Sequence, residues 1–471
     1  MPSVLICLNF LLFTSKYYAI FYGCDIIRRE KKRMTMTIAV SVLTILQILI
    51  FLVLKPTLTV RGKSVSFYWI IALAGAISLI AIGGITPTEA WEGLTRDTSV
   101  NPLKLLVIFF GMTFLSVFLD EMNLFEFLAS FAVRHAKATQ KSLFLMLYLM
   151  VSLLTAVTSN DVVILTFTPF ILHFAKKVRI NPMPYLIAEF VAANTLSMTL
   201  IIGNPTNIYL ASSGGLDFFS YLKVMILPSL LCSVGAYFIL RALFHKQLKA
   251  PLHVIQDDVT LGDKVLLIVG VVHLIIAIIA LSICSYIGIE MYLACAVIVG
   301  SLVLISTVYL LATKQGLSLF WKVLKRLPYA LIPFVLSMFV IVLALNKCGF
   351  TKLIADAFSN GDSIFVYGLA SFLSANVFNN IPMSVLFSDV LSLSGLVGKE
   401  YYGALFASII GSNVGAYLSP VGALAGIMWL SILKKNGHPL SFLHFMKYGV
   451  IISLPIMILA LLALHVSILF I

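Results

Sequence analysis

The fold is indicated most clearly by two short stretches, Thr158-Ser159-Asn160-Asp161 and Asn379-Asn380-Ile381-Pro382. Each places polar residues in the middle of an apolar stretch, the first over 143–175 and the second over 364–392. Irregular backbone at membrane depth persists only where it is buried in protein or lines a watery cavity, because lipid offers no hydrogen-bond partners. We therefore predict two re-entrant hairpins, each of which enters the membrane part-way and returns to the same side.

The composition around these stretches is that of a membrane protein. Of 471 residues, 61% are hydrophobic and only 11% are charged, whereas a soluble chain is about half apolar and about a quarter charged. An ordinary soluble enzyme is thereby excluded. The sequence predicts an all-α polytopic membrane protein with about eleven transmembrane helices in addition to the two hairpins. The spanning segments lie near 4–22, 36–54, 66–86, 102–119, 184–202, 221–240, 265–285, 291–312, 329–346, 402–432 and 446–470.

The charge pattern orients these segments. The formal net charge is +13, and the basic residues cluster in short loops, which indicates cytoplasmic loops rather than nucleic-acid binding. Both flanks of the first hairpin are basic, so it is predicted to enter from the cytoplasm. The loops around the second hairpin carry little net charge, so it is predicted to enter from the opposite face. The expected location is the inner (plasma) membrane, with multiple passes through the lipid bilayer.

One basic run violates this orientation. The sequence Arg28-Arg29-Glu30-Lys31-Lys32-Arg33 would lie outside the cell on the same count. We interpret residues 1–33 as a segment that is not native, with translation beginning at Met34 or Met36.

An internal repeat divides the rest of the chain. Asn160 pairs with Asn379, Asn194 with Asn413 and Gly203 with Gly422, each 219 positions apart. We predict one repeat over 36–244, a cytoplasmic linker over 245–264 and a second repeat over 265–471. Because each half holds an odd number of crossings, the second is inverted, an architecture typical of secondary transporters.

The repeats bring four breaks together as a candidate binding site. Besides the hairpin tips, Gly203-Asn204-Pro205-Thr206-Asn207 and Ser412-Asn413-Val414-Gly415 interrupt helices. Pro removes a backbone donor and Gly accepts unusual dihedral angles, so such breaks expose helix-end groups that hold polar solutes. The predicted substrate-binding residues are Ser159, Asn160, Asp161, Asn194, Gly203, Asn204, Thr206, Asn207, Asn379, Asn380, Asn413 and Gly422.

Two carboxylates are candidates for proton coupling. Asp161 stands at the first tip in an apolar stretch, where an ionisable group is costly unless it has a function. Glu189 lies on the helix that leads to Asn194 and is the second candidate. His273, in the middle of a span, is interpreted as a core residue.

No cofactor, metal site or catalytic set is expected. The six cysteines are scattered singly, without the spacing of a metal site. Arg61-Gly62-Lys63-Ser64 follows Thr57 where a phosphate loop requires Gly, so an ion gradient or a separate ATPase subunit must supply the energy. An intramembrane enzyme would need a set such as HExxH, which the sequence lacks, so the chain is predicted not to be an enzyme.

At these breaks the sequence resembles the ion transporter superfamily. The stretches from Thr158 to Asp161, Gly203 to Ile208, Asn379 to Pro382 and Gly411 to Ala425 fit its pattern. The closest branch is the ArsB-like arsenite and antimonite permeases, with related anion permeases that contain a citrate-transporter-like domain. The resemblance implies hairpins and broken helices that form one transport unit, which moves elevator-fashion against a scaffold. It also implies export of arsenite or antimonite in exchange for protons, or export as the membrane subunit of an ATP-driven pump.

Several substrates stay open at this stage. Asp161 would repel a dianion unless it is protonated or a cation intervenes, so a neutral hydroxide such as As(OH)₃, or a cation exchanged for protons, fits better than a dicarboxylate. The alternatives are a sodium/proton antiporter and a dicarboxylate or organic anion carrier of the same superfamily. The partners considered are therefore a small inorganic or organic ion, protons or sodium as the coupling ion, a second copy in a homodimer and an ATPase subunit. No nucleic acid is expected.

Overall fold

The computed structural model describes residues 31–51, 57–60, 63–97, 101–135, 139–158, 160–251, 260–284 and 286–470. The predicted span 4–22 lies outside them. The helices, numbered in chain order, begin with α1 at Lys31–Phe51. The others of the first half are α2 Tyr68–Ala81, α3 Pro87–Thr95, α4 Pro102–Glu121, α5 Leu124–His135, α6 Gln140–Val157, α7 Asn160–Val178, α8 Met183–Leu196, α9 Pro205–Ser213 and α10 Phe218–Leu243. Those of the second half are α11 Lys264–Ile283, α12 Met291–Ala312, α13 Ser318–Arg326, α14 Leu331–Lys347, α15 Phe350–Ala357, α16 Ser363–Phe378, α17 Asn380–Leu393, α18 Gly398–Gly415, α19 Leu424–Lys435 and α20 Phe442–Ser467.

The prediction of a helical membrane protein is confirmed, with one local exception. Eight helices of the described chain are long and apolar enough to cross a membrane, and α2, α16 and α17 are shorter apolar helices. The exception is an antiparallel hairpin of β1 (Thr57–Val60) and β2 (Lys63–Ser66). Thr and Val favour strands, so the predicted span 66–86 begins with a strand residue and is helical only from Tyr68.

Two predicted spans end earlier than the apolar composition suggests. The segment predicted over 184–202 leaves the α-helix after Leu196, where two 3-10 turns follow. The segment predicted over 402–432 leaves it after Gly415 and resumes at Leu424. In the second place Pro420 lacks the backbone N–H that a continuing helix needs, whereas in the first place Gly203 closes the second 3-10 turn and Pro205 comes after it.

The helices of the two halves correspond in order and in packing. The ten helices from α1 to α10 match the ten from α11 to α20 in sequence order. Helix α2 packs on α14 as α12 packs on α4, and α9 packs on α17 as α19 packs on α7. Helices α10 and α20, the last of each half, pack on each other. The opposite orientation of the two halves in the membrane stays a prediction.

Polar contacts divide the loops into two sets on opposite sides of the breaks. On one side, Arg326 donates to Asp120 at 2.5 Å and to Glu121 at 2.8 Å. This side carries the loops that are predicted to be cytoplasmic, and we call it the basic face. On the other side, Lys347 pairs with Glu89 at 2.6 Å. Lys31 and Arg33 share a cavity with Lys347, so these two basic residues of the run that violates the predicted orientation lie on this second face.

Apolar packing holds the breaks between the halves. A smaller core cluster joins α1, α2 and α14 to Ile381 beside the second tip and to Val421 and Ile427 around the last break. Helices α11 and α12 instead expose many aliphatic side chains, as expected of a surface that faces lipid.

Candidate functional site

Asn413, on the last turn of α18, is the centre of the candidate site. Its Oδ1 accepts hydrogen bonds from Ser197 Oγ at 3.1 Å and from Asn204 Nδ2 at 3.0 Å. Its Nδ2 donates to Asn207 Oδ1 at 2.8 Å and to the backbone of α18. All four of these polar side chains are fully buried or nearly so. One amide of the second half therefore joins both ends of the break in the first half.

The break between α8 and α9 is shaped by close backbone packing. Asn207 Nδ2 donates to the carbonyl oxygens of Ser197 at 2.8 Å and Leu200 at 3.1 Å, both in the non-α-helical segment. Asn204 Oδ1 accepts from the backbone N–H of Thr206 and so caps α9, as Asn commonly does. A Cβ atom at Gly203 would overlap the carbonyl of Ser197. The predicted Gly and Asn residues thus build the break.

The first tip joins this network through Asn160. Its Nδ2 donates to Asn194 Oδ1 at 3.1 Å, and Asn194 Nδ2 donates back to its own helix at the carbonyl of Phe190. Ser197 Oγ connects the two groups, because it lies 3.0 Å from the carbonyl of Asn194 and also contacts Asn413. Ser159, which is predicted to contribute to the same site, lies outside the described residues.

The second tip docks on the break between α18 and α19. Asn379 Nδ2 donates to the carbonyl of Val421 at 2.9 Å, and the backbone N–H of Asn380 donates to the carbonyl of Gly422 at 3.2 Å. Asn379 has φ +71°, a conformation that is rare outside glycine and that Asn tolerates better than most residues. Such backbone strain persists where the surroundings over-determine it, and functional sites are common among these places.

Four buried polar atoms at these breaks have no hydrogen-bond partner in the described protein: Asn160 Oδ1, Thr199 Oγ1, Thr206 Oγ1 and Ser412 Oγ. Buried polar groups are nearly always hydrogen-bonded, so such atoms indicate places for water or a bound solute. They are uncharged donors and acceptors. The arrangement can therefore bind a small polyhydroxy or oxyanionic solute without any formal positive charge.

The two predicted coupling carboxylates lie in different surroundings. Glu189 is buried away from the Asn network, where Thr168 Oγ1 donates to it at 3.0 Å. Asp161 is only half-buried, and no hydrogen bond or ion pair reaches it from the described residues.

Sequence reasoning missed four polar residues of the region. Ser197 bridges two of the breaks, and Asn376 Nδ2 donates to the carbonyl of Gly415 at 3.0 Å while its Oδ1 accepts from Ser419 Oγ. On α17, the half-buried carboxylate of Asp389 accepts from Asn346 Nδ2 of α14 at 3.3 Å. Asn376 and Asp389 are polar residues within apolar stretches, and this contrast could have identified them from the sequence. No comparable sequence signal marks Ser197.

No metal site accompanies these groups in the described part of the chain, where no cluster of three or more His, Cys, Asp or Glu side chains suits a metal ion. The polar chemistry of the breaks is that of amides and hydroxyls.

Comparison with known proteins assigns the family. The family described as "Citrate transporter" (CitMHS) matches residues 63–395. The chain belongs to this citrate transporter family. As a member of it, the chain is a membrane transporter, and the resemblance found at the breaks is confirmed.

Relatives of this citrate transporter family member include an "Arsenical pump membrane protein" from Escherichia coli (strain K12). The two sequences are 26% identical over 433 residues, which cover 86% of this chain and 94% of that protein. A "Putative arsenical pump membrane protein" from Bacillus subtilis (strain 168) is 24% identical over 409 residues, covering 81% and 90%.

Solved structures show the same fold at low identity. The Alcanivorax borkumensis YdaH transporter matches with a TM-score of 0.57 and 14% identity, over 93% of this chain and 98% of that one. Neisseria gonorrhoeae MtrF, whose structure is described as illuminating a class of antimetabolite efflux pumps, matches with a TM-score of 0.50 and 14% identity, over 93% and 94%. At this identity the likeness concerns the fold alone.

Proposed function

We propose that this chain is a secondary active transporter that exports arsenite, antimonite or a related small anion in exchange for protons. The observation that carries the proposal is the buried amide network centred on Asn413, beside four unpartnered polar atoms. Amides and hydroxyls can exchange hydrogen bonds with As(OH)₃ or a small oxyanion. The relatives from two bacteria that are named arsenical pump membrane proteins support this substrate class.

Protons are the proposed coupling ion because of Asp161. It is half-buried and has no basic partner in the described residues, and an ionisable group at membrane depth is a functional candidate. A carboxylate in this place can exchange protons with a nearby cavity. No cysteine stands at any of the four breaks in the sequence, so the proposed binding of the metalloid is through its hydroxyl groups and not through thiolates.

The test is uptake of arsenite into inside-out membrane vesicles, with and without an imposed proton gradient. The proposal expects uptake that saturates with arsenite and collapses when a protonophore is added. Asp161→Asn should abolish the response to the gradient. No uptake by a well-folded preparation would contradict metalloid export.

Variants at the tips test the site. Asn160→Ala and Asn379→Ala are expected to abolish transport with unchanged membrane abundance, whereas Asn436→Ala, on the exposed end of α19, should transport normally. Asn379→Gly distinguishes an effect of the lost amide from an effect of backbone strain. Gly accepts the positive φ of Asn379 without strain but lacks the amide. Normal flux in Asn160→Ala or in Asn379→Gly would contradict a site formed by both tips.

A second candidate is carriage of a carboxylate, which the description of the family as citrate transporters favours. Citrate uptake that replaces arsenite uptake in the same vesicles, and that also depends on Asn160 and Asn379, would favour this candidate. A sodium/proton antiporter would instead show sodium-induced proton movement that disappears in Asp161→Asn.

A further inference from the structure

A cavity of about 500 Å³ opens beside the breaks at the basic face. One wall comes from α2 and from the segment that joins α13 to α14, and the other comes from α7 and α19. The polar side chains that line it are Tyr68, Arg326, Tyr329, Ser431 and Lys435. We call this cavity the vestibule.

The vestibule reaches the first hairpin tip. Leu165, one helical turn after Asp161, lines its wall, and Tyr68 of α2 lines it too. Ile427, on the opposite wall, belongs to the same core cluster as Ile381 beside the second tip. The vestibule therefore reaches within one helical turn of the first hairpin tip.

The charge of the vestibule is one-sided. Arg326 and Lys435 line it, and no carboxylate belongs to its lining. Asp120 and Glu121 both accept hydrogen bonds from Arg326, so its single positive charge is fully neutralised by two carboxylates outside the lining. Lys435 has no ion pair or hydrogen bond among the residues that the structure describes, and it is exposed. Lys435 is therefore the charged group of the lining whose positive charge no described carboxylate neutralises.

We infer that the vestibule is a selective access route, in which Lys435 attracts oxyanions from the basic face, repels cations and leaves the entry of neutral acids unhindered. The inference rests on the proposed function and deepens it, since it names the class of solute that can reach Asp161. A positive charge in a cleft with low-dielectric walls raises the local concentration of anions. It would also disfavour sodium as a solute taken up from this face.

The experiment measures the potential directly with thiol reagents. Ser431 lies one helical turn before Lys435, on the same face of α19. Ser431→Cys is introduced into a full-length variant in which all six native cysteines are replaced. The labelling rate of Cys at this position is then compared for a negatively and a positively charged methanethiosulfonate of similar size, in sealed inside-out and right-side-out vesicles.

The anionic reagent is expected to react faster, and only from the basic face. Lys435→Ala should reduce the ratio of the two rates about fivefold, from Coulomb's law for a single charge about 8 Å away in water. Lys434→Ala is the matched control, because Lys434 is also exposed on α19 but does not line the vestibule. High salt should reduce the ratio as well.

Equal rates for the two reagents, or equal effects of Lys434→Ala and Lys435→Ala, would overturn the inference. Labelling from the opposite face alone would do so too. Arsenite and citrate are then added separately as protecting solutes. A charge preference without protection by either solute would support the anion vestibule and count against the proposed substrates, so the two ideas can fail separately.

Discussion

Asn413 shows how a buried amide serves as the junction between two halves. A carboxylate or an ammonium group in the same place would need a compensating charge, because burial of an unpaired ion is costly. The amide of Asn413 instead offers two acceptor and two donor positions, and four neighbouring groups use them. Because the amide is uncharged, it makes the breaks polar without requiring that a bound solute carry a particular charge.

Replacement of Asn413 by Ala should destabilise the protein markedly. The change leaves Asn204 and Asn207 with lost partners, and each buried unsatisfied group costs about 1–3 kcal/mol. Thermal unfolding in detergent, followed by loss of monodisperse protein, measures the effect. Ser412→Ala is the control, because Ser412 Oγ has no partner in the described protein and its removal should change stability by no more than about 0.5 kcal/mol. Equal melting temperatures for both variants would contradict the role of Asn413.

Gly203 is expected to be irreplaceable for a steric reason. A Cβ atom there would overlap the backbone carbonyl of Ser197, and backbone cannot move aside as a flexible side chain can. Gly203→Ala should therefore abolish transport and lower the melting temperature. Gly300→Ala, in the middle of α12 with open space around it, should leave transport unchanged and raise stability by about 0.5–1 kcal/mol through helix propensity. Normal transport in Gly203→Ala would refute the tight packing of this break.

Among the helices, two short ones each form ion pairs with the end of a long helix. The two long-helix ends occupy equivalent positions in the two halves but carry opposite charges. On the basic face, Arg326 of α13 binds Asp120 and Glu121 at the end of α4. On the other face, Glu89 of α3 binds Lys347 at the end of α14. Pro102 and Met112 match Pro328 and Met338 at an offset of 226, and the same offset relates Glu121 to Lys347. The equivalent ends of α4 and α14 thus carry opposite charges, and each is held by a residue of the short helix that precedes the other, Arg326 from the last turn of α13 and Glu89 from the first turn of α3.

The ion pair of Glu89 predicts a pH dependence of stability. Hydrogen bonds from Lys347 and then from Thr86 lower the pKa of the exposed Glu89 carboxyl from 4.5 to about 2. Because the folded pKa is depressed, the contribution to stability is present above pH 4.5 and is lost as the pH falls towards 2. Melting temperatures from pH 6 to pH 2.5 should therefore differ between wild type and Glu89→Gln at the upper end and converge at the lower end.

Glu92→Gln provides the comparison for this pH series. Glu92 is exposed on the same helix and has no ion pair in the described structure. Its replacement should leave the melting temperature unchanged at every pH. If Glu89→Gln and Glu92→Gln give parallel curves, the ion pair with Lys347 does not stabilise the fold.

The sequence was sufficient to predict the class of fold and the places of the breaks. Apolar length identifies membrane helices, and Asn, Gly and Pro in an apolar stretch identify the breaks, because both signals are local. The bond from Asn204 to Asn413 joins residues that are far apart in the chain, and only the repeat suggested that they meet. The β-hairpin at 57–66 was missed because hydrophobic length does not distinguish a short strand from the start of a helix.

Other site residues could not have been found from local pattern. Ser197 lies in an apolar stretch as one of many serines, and its role depends on the 3-10 turns that bring it to Asn413. The docking of the second tip on Val421 and Gly422 uses backbone carbonyls, which every residue has. Backbone chemistry of this kind becomes visible only when the helices are packed together.

At the scale of the whole molecule, the proposed mechanism requires the hairpins to move against a scaffold. The bond between Asp389 of α17 and Asn346 of α14 lies on this proposed boundary. The pair Glu89–Lys347 joins α3 to α14 and lies within the proposed scaffold. The two pairs share one helix, α14, and differ in whether transport should break them.

A reducible cross-link at each pair distinguishes these two kinds of contact. Asn346→Cys with Asp389→Cys, in a cysteine-free background, should block transport after oxidation, because it fixes α17 to α14, and reduction should restore the flux. Glu89→Cys with Lys347→Cys is joined by a bis-methanethiosulfonate, which tolerates a wider separation than a disulfide, and should transport normally with and without the cross-link. The extent of cross-linking is measured by mass shift of a polyethylene glycol maleimide, and flux by uptake into the same vesicles. Full transport by the oxidised Asn346–Asp389 pair would mean that α17 stays fixed to α14 throughout the cycle, and elevator motion of the second hairpin against this helix would then be refuted.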